Sequence, residues 1–261
     1  MSFNMVRLKL NLGALYQWGR QMRLGDDVGY LVHAASRAIW GEIAPQPFFV
    51  QSSKGCVLGY TNADEDQMRA AYETSAAERG KKLLVQALSI SHHCCKKMPE
   101  QWRKDAVYQF SVFCRPMARN GKIEGDVWLL EMFRAYQDAV GRGEFSGTVQ
   151  EFRHQNENRR EEIYTRWIQR QFASETQQES GKAAQLLRVS IDGLRCGPMT
   201  TRGDSKHTGA PRKGRQRNIP ELYATGTLRV ADPEAFSRLM KRGIGRHRAF
   251  GYGMILLKAD S

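Results

Sequence analysis

The stretch VRLKLNL, residues 6–12, carries an apolar side chain at every second position. A period of two places Val6, Leu8, Leu10 and Leu12 on one face of a β-strand and the polar side chains on the other. The pattern predicts a half-buried strand, which opens the first of two structural units.

The segments after this strand follow the order of a ferredoxin-like unit. Asp26 and Asp27 can cap a helix whose apolar side chains recur at three- and four-residue spacing. Lys54-Gly55 is typical of a hairpin turn between two short strands. The predicted elements are a helix over 28–40, strands over 47–53 and 56–60, a helix over 64–76 and a strand over 83–90. With residues 6–12 they give the order βαββαβ.

A second series of the same kind begins near Val107, and Pro116 ends its first strand. It is interrupted by residues 125–180, whose pattern is almost wholly helical. The remaining predicted elements are strands over 186–194 and 222–230, a helix over 232–242 and a strand over 254–258. The sequence therefore predicts an α+β fold of two tandem ferredoxin-like (RRM-like) units. The expected divisions are 1–103 and 104–261, with a helical insertion at about 125–180 and a basic loop at about 198–218.

The charge balance predicts a polyanionic partner. The 261 residues contain 40 Lys plus Arg against 27 Asp plus Glu, a formal charge of +13. Self-repulsion of this size is relieved by an anion such as nucleic acid; the alternative is a protein that is merely basic. The five cysteines, an odd number, favour a reducing cytoplasm over a disulfide framework. No apolar run approaches the roughly 18 residues of a membrane span, so no membrane partner is expected.

The segment GIGRHRAFGYG, residues 243–253, places four glycines among basic residues. Glycine permits close backbone approach to a ligand, while exposed N–H groups and arginine forks suit phosphate oxygens. The segment is thus a candidate phosphate cradle, and a structural hairpin with a charged tip is the alternative. The predicted RNA-binding residues here are Lys241, Gly243, Gly245, Arg246, His247 and Arg248.

This segment, followed by an apolar strand, resembles the signature of the RAMP superfamily of CRISPR proteins, and within it the repeat-processing endoribonucleases. Tyr30-Leu31-Val32-His33, followed by Trp40, is similar to the catalytic-helix region of the type I-E processing enzymes. The helical insertion and the many arginines near the site are more like the type IV crRNA-processing enzymes.

The resemblance implies a metal-independent endoribonuclease that needs no cofactor. Such an enzyme recognises the CRISPR repeat hairpin and cleaves at the 3′ base of the stem by 2′-hydroxyl attack. The products carry a 2′,3′-cyclic phosphate and a 5′-hydroxyl. The enzyme stays bound to the crRNA beside other effector-complex subunits. Two alternatives remain: a RAMP-type guide-RNA-binding subunit without cleavage, and a general RNA chaperone.

The resemblance also indicates catalytic residues. His33 matches the family position for proton transfer, and Tyr30 lies one turn earlier on the same helix face. Arginine stays protonated and can stabilise a charged transition state. The candidates for that role are Arg23, Arg37 and Arg242, with Arg20 as an RNA contact. Packing or solvated surface roles are the alternatives for each, and His247 departs from the expected residue, so either histidine can be the titrating group.

Residues 202–217 hold six Lys or Arg against one Asp, with glycines and a proline that oppose regular structure. They are predicted to form a flexible arm that grips RNA phosphates; a solvated disordered loop is the alternative. The basic residues are Arg202, Lys206, Arg212, Lys213, Arg215 and Arg217. The run His92-His93-Cys94-Cys95 has no partner pair at zinc spacing, so no metal site is predicted.

Overall fold

A computed structural model of the chain describes residues 3–121, 123–173, 182–201 and 215–259. The first series of elements builds one antiparallel sheet, here sheet A, with its helices. In chain order these are β1 (Asn4–Leu10), α1 (Leu12–Gln21), α2 (Val28–Trp40), β2 (Phe48–Gln51), β3 (Cys56–Thr61), α3 (Glu65–Ala77), α4 (Lys82–Ala87), β4 (Leu88–Ser89) and β5 (Cys95–Lys97). The strand order is β2-β3-β1-β4, and β5 also pairs with β1. This is the order of a ferredoxin-like sheet.

Local sequence patterns explain the predicted elements of this unit. In β1, Val6, Leu8 and Leu10 are buried while Arg7 and Lys9 are exposed, as the period of two predicts. The carboxylate of Asp27 accepts the Tyr30 N–H at 3.0 Å and so caps α2. The predicted helices and hairpin of this unit are confirmed.

The strand predicted over 83–90 is wrong in its larger part. Residues 82–87 form α4, and only Leu88 and Ser89 are in a strand. Leu84 and Ala87 are buried, three residues apart, because α4 packs against α1. Helix α1 itself was not foreseen: Leu12 continues the alternation of β1, yet Asn11 accepts the Ala14 N–H at 3.1 Å and starts a helix there.

The second series builds sheet B. Its elements are β6 (Val107–Cys114), β7 (Met117–Asn120), β8 (Ile123–Asp126), α5 (Val127–Gly141), α6 (Val149–Gln155), α7 (Arg160–Ala173), β9 (Ala184–Thr201), β10 (Arg215–Val230), α8 (Pro233–Arg242) and β11 (Ile255–Ala259). The order β11-β6-β10-β9 is again ferredoxin-like. The chain thus folds as two tandem ferredoxin-like units, as predicted from the sequence.

Helices α7 and α8 cover one face of sheet B. Phe172 of α7 packs on Phe110 of β6 with ring centroids 5.0 Å apart, and Phe236 and Leu239 of α8 are fully buried in the same core. Helix α7 takes the place of the first helix of the ferredoxin-like order. The β7–β8 hairpin, α5 and α6 are therefore the elements inserted into the ferredoxin-like unit.

Strands β9 and β10 are longer than predicted. Pairing runs outward to Thr201 and Arg215, whereas β6 pairs with β10 only from Leu222 onward. Residues 215–221 therefore pair with β9 alone, as a two-stranded ribbon beyond the edge of β6.

The prediction of irregular structure is wrong for residues 215–217, because interstrand backbone bonds form there despite the local glycines. Arg202, Lys206, Arg212 and Lys213 lie outside the described residues, and of Arg215 and Arg217 only the backbone is described.

The two units are in direct contact. The hydroxyl of Tyr60 on β3 donates to the carbonyl of Ile255 on β11 at 2.7 Å. Phe49 of β2 and Phe113 of β6 lie with ring centroids 6.0 Å apart. In the described part of the chain, no helix has both the length and the apolar character needed to cross a bilayer.

Candidate functional site

The glycine-rich segment forms a closed loop between α8 and β11. The Ile244 N–H donates to the Gly253 carbonyl at 2.9 Å, and the Gly253 N–H donates to Phe113 of β6 at 2.7 Å. Gly243 and Gly253 adopt φ values of 71° and 76°, and a Cβ on Gly253 would overlap the Ile244 carbonyl. Glycine is thus required where the two ends of the loop meet.

Two of the predicted phosphate-binding amides are occupied by the protein. The Gly243 N–H bonds the Leu239 carbonyl at 2.7 Å, and the Gly245 N–H bonds Gln171 Oε1 of α7 at 3.1 Å. The cradle of exposed amides predicted at Gly243 and Gly245 is therefore wrong for these two groups. The bond to Gln171 also shows that α7, part of the predicted insertion, supports the loop.

The tip of the loop, the 3₁₀ turn Arg248–Phe250, rests on α2. A Cβ on Gly29 would overlap the carbonyl of Phe250, so the two backbones are in van der Waals contact. The Phe250 ring lies 5.4 Å from the imidazole of His33, edge to face, and 5.9 Å from the ring of Tyr30. The structure therefore brings together the two sequence signals, the loop and the helix, that lie more than 200 residues apart in the chain.

His33 is half-buried on α2. Burial in the packed helix face, and secondarily the positive charge of Arg37 one turn later, lower the pKa of His33 below its ordinary value. Both effects disfavour the imidazolium. His33 is therefore held neutral near pH 7, the state in which an imidazole can accept a proton.

His247 lies on the other side of Phe250, with its ring stacked at 6.3 Å. Its φ of 60° is in the left-handed region, its side chain is 14% exposed, and its Nε2 is 3.4 Å from Glu124 Oε1. Burial lowers the pKa of His247, although Glu124 acts in the opposite direction. The site thus contains two histidines with depressed pKa values, one from each unit.

Three arginines cluster at the outer side of the loop. Arg248 Nη1 donates to the Arg242 carbonyl at 3.2 Å, and Arg246 pairs with Glu124 of β8. Burial, together with the charges of Arg242 and Arg246, lowers the pKa of Arg248. The guanidinium groups of Arg242 and Arg246 thus lie close enough to act on Arg248, and the loop carries a cluster of three basic side chains.

The other predicted residues have more varied positions. Arg37 binds the Gly41 carbonyl at 2.9 Å and Glu42 at 3.0 Å, so it also caps the end of α2. Arg20 is exposed in the last turn of α1. Arg23 is exposed on the following loop with φ of 54°. Lys241 lies over the ring of Phe3 at 5.4 Å, on the side of α8 that faces β5, so it is not brought to the loop.

A crevice of about 420 Å³ lies between the two units beside the loop. It carries both acidic and basic side chains. Arg195 is the one basic residue among its described lining, against Asp26, Asp27 and Glu221. Asp27 is engaged as the cap of α2. Among its described lining residues the crevice thus offers one cation, Arg195, next to the arginine-bearing loop.

Sequence reasoning missed a buried polar network under this crevice. Glu221 of β10, 5% exposed, pairs with Arg115 at 3.0 Å and with Arg195 at 2.8 Å. The Tyr252 hydroxyl donates to the same carboxylate. Burial alone would raise the pKa of Glu221, but the three hydrogen bonds outweigh it and the pKa is lowered. In the sequence, Glu221 directly precedes Leu222 and Arg115 directly follows Cys114. These neighbours become a signal only once Leu222 and Cys114 are known to be paired.

No metal cluster is found in the described ranges: no three His, Cys, Asp or Glu side chains are grouped as ligands of an ion. The Cys94 and Cys95 sulfurs lie 3.6 Å apart as free thiols.

Comparisons with known proteins point to one family. A family model described as "CRISPR associated protein" matches residues 44–259. No curated protein matches the sequence. Among solved structures, the CRISPR endoribonuclease Cse3 bound to a 19-nucleotide RNA is similar with a TM-score of 0.57 and 13% identity, over 99% of this chain and 100% of that one. Thermus thermophilus Cse3, bound to an RNA that represents a pre-cleavage complex, gives 0.59 and 14% over 99% and 100%. At these identities the likeness shows the fold alone.

Proposed function

The chain belongs to the family of CRISPR-associated proteins, and on this basis we propose that it is a metal-independent endoribonuclease that processes CRISPR repeat transcripts. It recognises the repeat hairpin, cleaves at the 3′ base of the stem, and stays bound to the crRNA as a subunit of an effector complex. The formal charge of +13 suits such a polyanionic partner.

One observation carries this proposal: Phe250 joins the glycine-rich loop to the helix that bears His33, with 5.4 Å between the rings. This contact supports the proposal that His33 of one unit transfers a proton beside the arginine-bearing loop of the other. Cleavage of RNA requires both kinds of group within reach of a single phosphodiester.

The proposed reaction uses the substrate's own 2′-hydroxyl. Neutral His33 accepts the proton of that hydroxyl, the 2′-oxygen bonds to phosphorus, and the bond from phosphorus to the 5′-oxygen breaks. A proton from Tyr30 or water neutralises the leaving oxygen. Arg23, Arg37 and Arg242 are the candidates that stabilise the negative charge developing on the phosphate. Arg246 and Arg248, which cluster with Arg242 at the loop, assist them. The products are a 2′,3′-cyclic phosphate and a 5′-hydroxyl.

Among the processing enzymes we place the chain nearest to the type IV group. This assignment is supported by the arginine cluster and by the extra elements α5 and α6. We also propose that it acts in the cytoplasm, which is consistent with five free cysteines.

The test is incubation of the protein with a transcript of its cognate repeat in EDTA. We expect one cut and a product that ends in a cyclic phosphate; a 2′-deoxy nucleotide before the scissile bond should abolish it. Cleavage that requires added magnesium would contradict the mechanism. A stable complex with uncut RNA would favour the alternative, a RAMP-type guide-binding subunit.

Arg242→Ala separates these two functions. We expect it to lower the single-turnover rate more than the affinity, since charge stabilisation is greatest in the transition state. Arg238→Ala, one turn earlier on α8 and half-exposed, is the matched control and should leave the rate unchanged. Equal rates for both variants would remove Arg242 from the site.

A further inference from the structure

Arg195 of β9 is held in a fixed orientation although its side chain is 74% exposed. Its Nε donates to Glu221 Oε2 at 2.8 Å, and its guanidinium lies 5.5 Å over the ring of Phe113. Within the residues that the structure describes, this Nε bond is the one hydrogen bond of the side chain. The two terminal nitrogens, Nη1 and Nη2, are thus presented as a fork.

The charge of Arg195 is not cancelled by its partner. The other oxygen of Glu221 accepts Arg115 at 3.0 Å, and Arg115 is 1% exposed. Two arginines therefore share one carboxylate, so Glu221 does not offset the charge of Arg195 in full. Because Arg115 is 1% exposed and Arg195 is 74% exposed, Arg195 is the one of the two that an external anion can reach.

The position of Arg195 connects two parts of the proposed site. It lines the crevice together with Phe250 and Tyr252 of the loop. It also lines an adjoining cavity of about 590 Å³ with Ser52, Lys54 and Tyr223. It is paired with Glu221 at the inner end of the two-stranded ribbon, which continues outward to Thr201 and Arg215. A chain that runs from the ribbon to the loop passes this side chain.

We propose that Arg195 binds a phosphate of the substrate RNA between the ribbon and the glycine-rich loop, and that buried Glu221 is its positioning residue. This inference rests on the proposed function for the identity of the polyanion. A guanidinium with an engaged Nε can still bind a phosphate through both Nη groups. Asp26 and Asp27 also line this crevice and repel a phosphate, so the phosphate is expected at Arg195 and away from these carboxylates.

The experiment measures the affinity for a fluorescein-labelled transcript of the cognate repeat, with a 2′-deoxy nucleotide at the scissile position, in EDTA over a series of salt concentrations. We expect Arg195→Ala to raise the Kd about tenfold, the effect of losing one charged hydrogen-bonding group. It should also lower the slope of log Kd against log salt by about one. Arg195→Lys, which keeps the charge and loses the fork, should recover the slope but only part of the affinity.

Arg229→Ala is the matched control. Arg229 is exposed on β10, at the end remote from the ribbon, opposite Val107 and Gln185. It should change the Kd less than twofold. If Arg195→Ala and Arg229→Ala bind RNA equally well, the inference is wrong.

The positioning role of Glu221 is tested by a double-mutant cycle. Glu221→Gln, assayed under conditions in which circular dichroism shows that the variant is folded, should weaken RNA binding in the wild-type background and add little to Arg195→Ala, because its effect on RNA passes through that side chain. Additive effects would show that Glu221 acts otherwise. Failure of the proposed function is distinguishable: wild-type protein that binds the RNA and never cuts it contradicts the activity, whereas the Arg195 result is read from affinity alone. Wild-type protein that binds no RNA contradicts both.

Discussion

The α-carbon of Gly29 is packed directly against the carbonyl of Phe250, with no room for a side chain between them. Gly29 is the second residue of α2 and Phe250 is the last residue of the loop's 3₁₀ turn. This contact sets the distance between the His33 helix and the arginine-bearing loop.

Gly29→Ala should therefore separate the loop from α2 and reduce single-turnover cleavage by at least an order of magnitude, since displacements of about 1 Å at a site cost about that much or more. The Phe250 carbonyl is backbone and cannot rotate away. Gly141→Ala is the control: it ends α5, its Cβ would meet no atom within 4 Å, and it should be neutral or stabilising by about 0.4–1 kcal/mol. An active Gly29→Ala variant would show that the contact does not position the site.

Arg23→Gly offers a test of Arg23 that does not endanger the fold. Leu24 N–H bonds the Gly19 carbonyl at 2.8 Å and Arg23 N–H bonds the Arg20 carbonyl at 3.1 Å, the pattern of a Schellman motif with Arg23 at the position that favours glycine. We expect the urea midpoint to stay equal or rise, by up to about 1 kcal/mol in unfolding free energy. If Arg23 stabilises the transition state, the cleavage rate falls at the same time; an unchanged rate would leave it as a loop residue.

Arg37→Gln should raise the pKa of His33. The guanidinium disfavours the imidazolium at present, so its removal shifts the pKa upward toward 6.5, while the larger effect of burial remains. Titration of the His33 ring proton by NMR measures this directly, without reference to activity. In the cleavage assay, the limb on which the rate rises with pH should move to higher pH in the same variant. A downward shift, or none, would mean that Arg37 does not face His33 in solution.

The same depression of pKa predicts how stability depends on pH. The folded-state pKa values of His33 and His247 both lie below the unfolded value of 6.5. In the pH range between the folded and the unfolded pKa, the unfolded chain therefore binds more protons than the folded chain. Their contribution is therefore present above about pH 6.5 and is lost as the pH falls. Urea unfolding at pH 7.5 and 5.5 measures the loss, and it should be smaller in His247→Asn, which tolerates the left-handed φ of that position.

The buried network should respond unequally to removal of its two charges. Glu221→Gln removes the carboxylate that pairs with buried Arg115 and should cost about 3–5 kcal/mol. Arg115→Leu leaves Glu221 with Arg195 and the Tyr252 hydroxyl, so we expect a smaller loss of about 1–3 kcal/mol. Chemical unfolding measures the loss of unfolding free energy in each variant. A larger loss in Arg115→Leu than in Glu221→Gln would contradict the assignment of partners.

Prediction from sequence succeeded where the spacing of apolar residues along an element shows which face is buried. The alternation in β1, the cap at Asp27 and the stripe of α2 are local properties, and the structure has all three. It failed at α4, whose six residues are too few to distinguish a helical period from a strand. It also failed for residues 215–217, where pairing with β9 overrides local breakers.

The two ferredoxin-like units, and the two segments α2 and the glycine-rich loop that hold the candidate site, could be predicted from local sequence patterns. Three features could not: the contacts of Phe250 with Gly29 and His33, the use of the Gly243 and Gly245 N–H groups within the protein, and the network of Arg115, Glu221 and Arg195. Periodicity shows which face of an element is buried, whereas the partner on that face comes from distant residues and depends on how the two sheets pack.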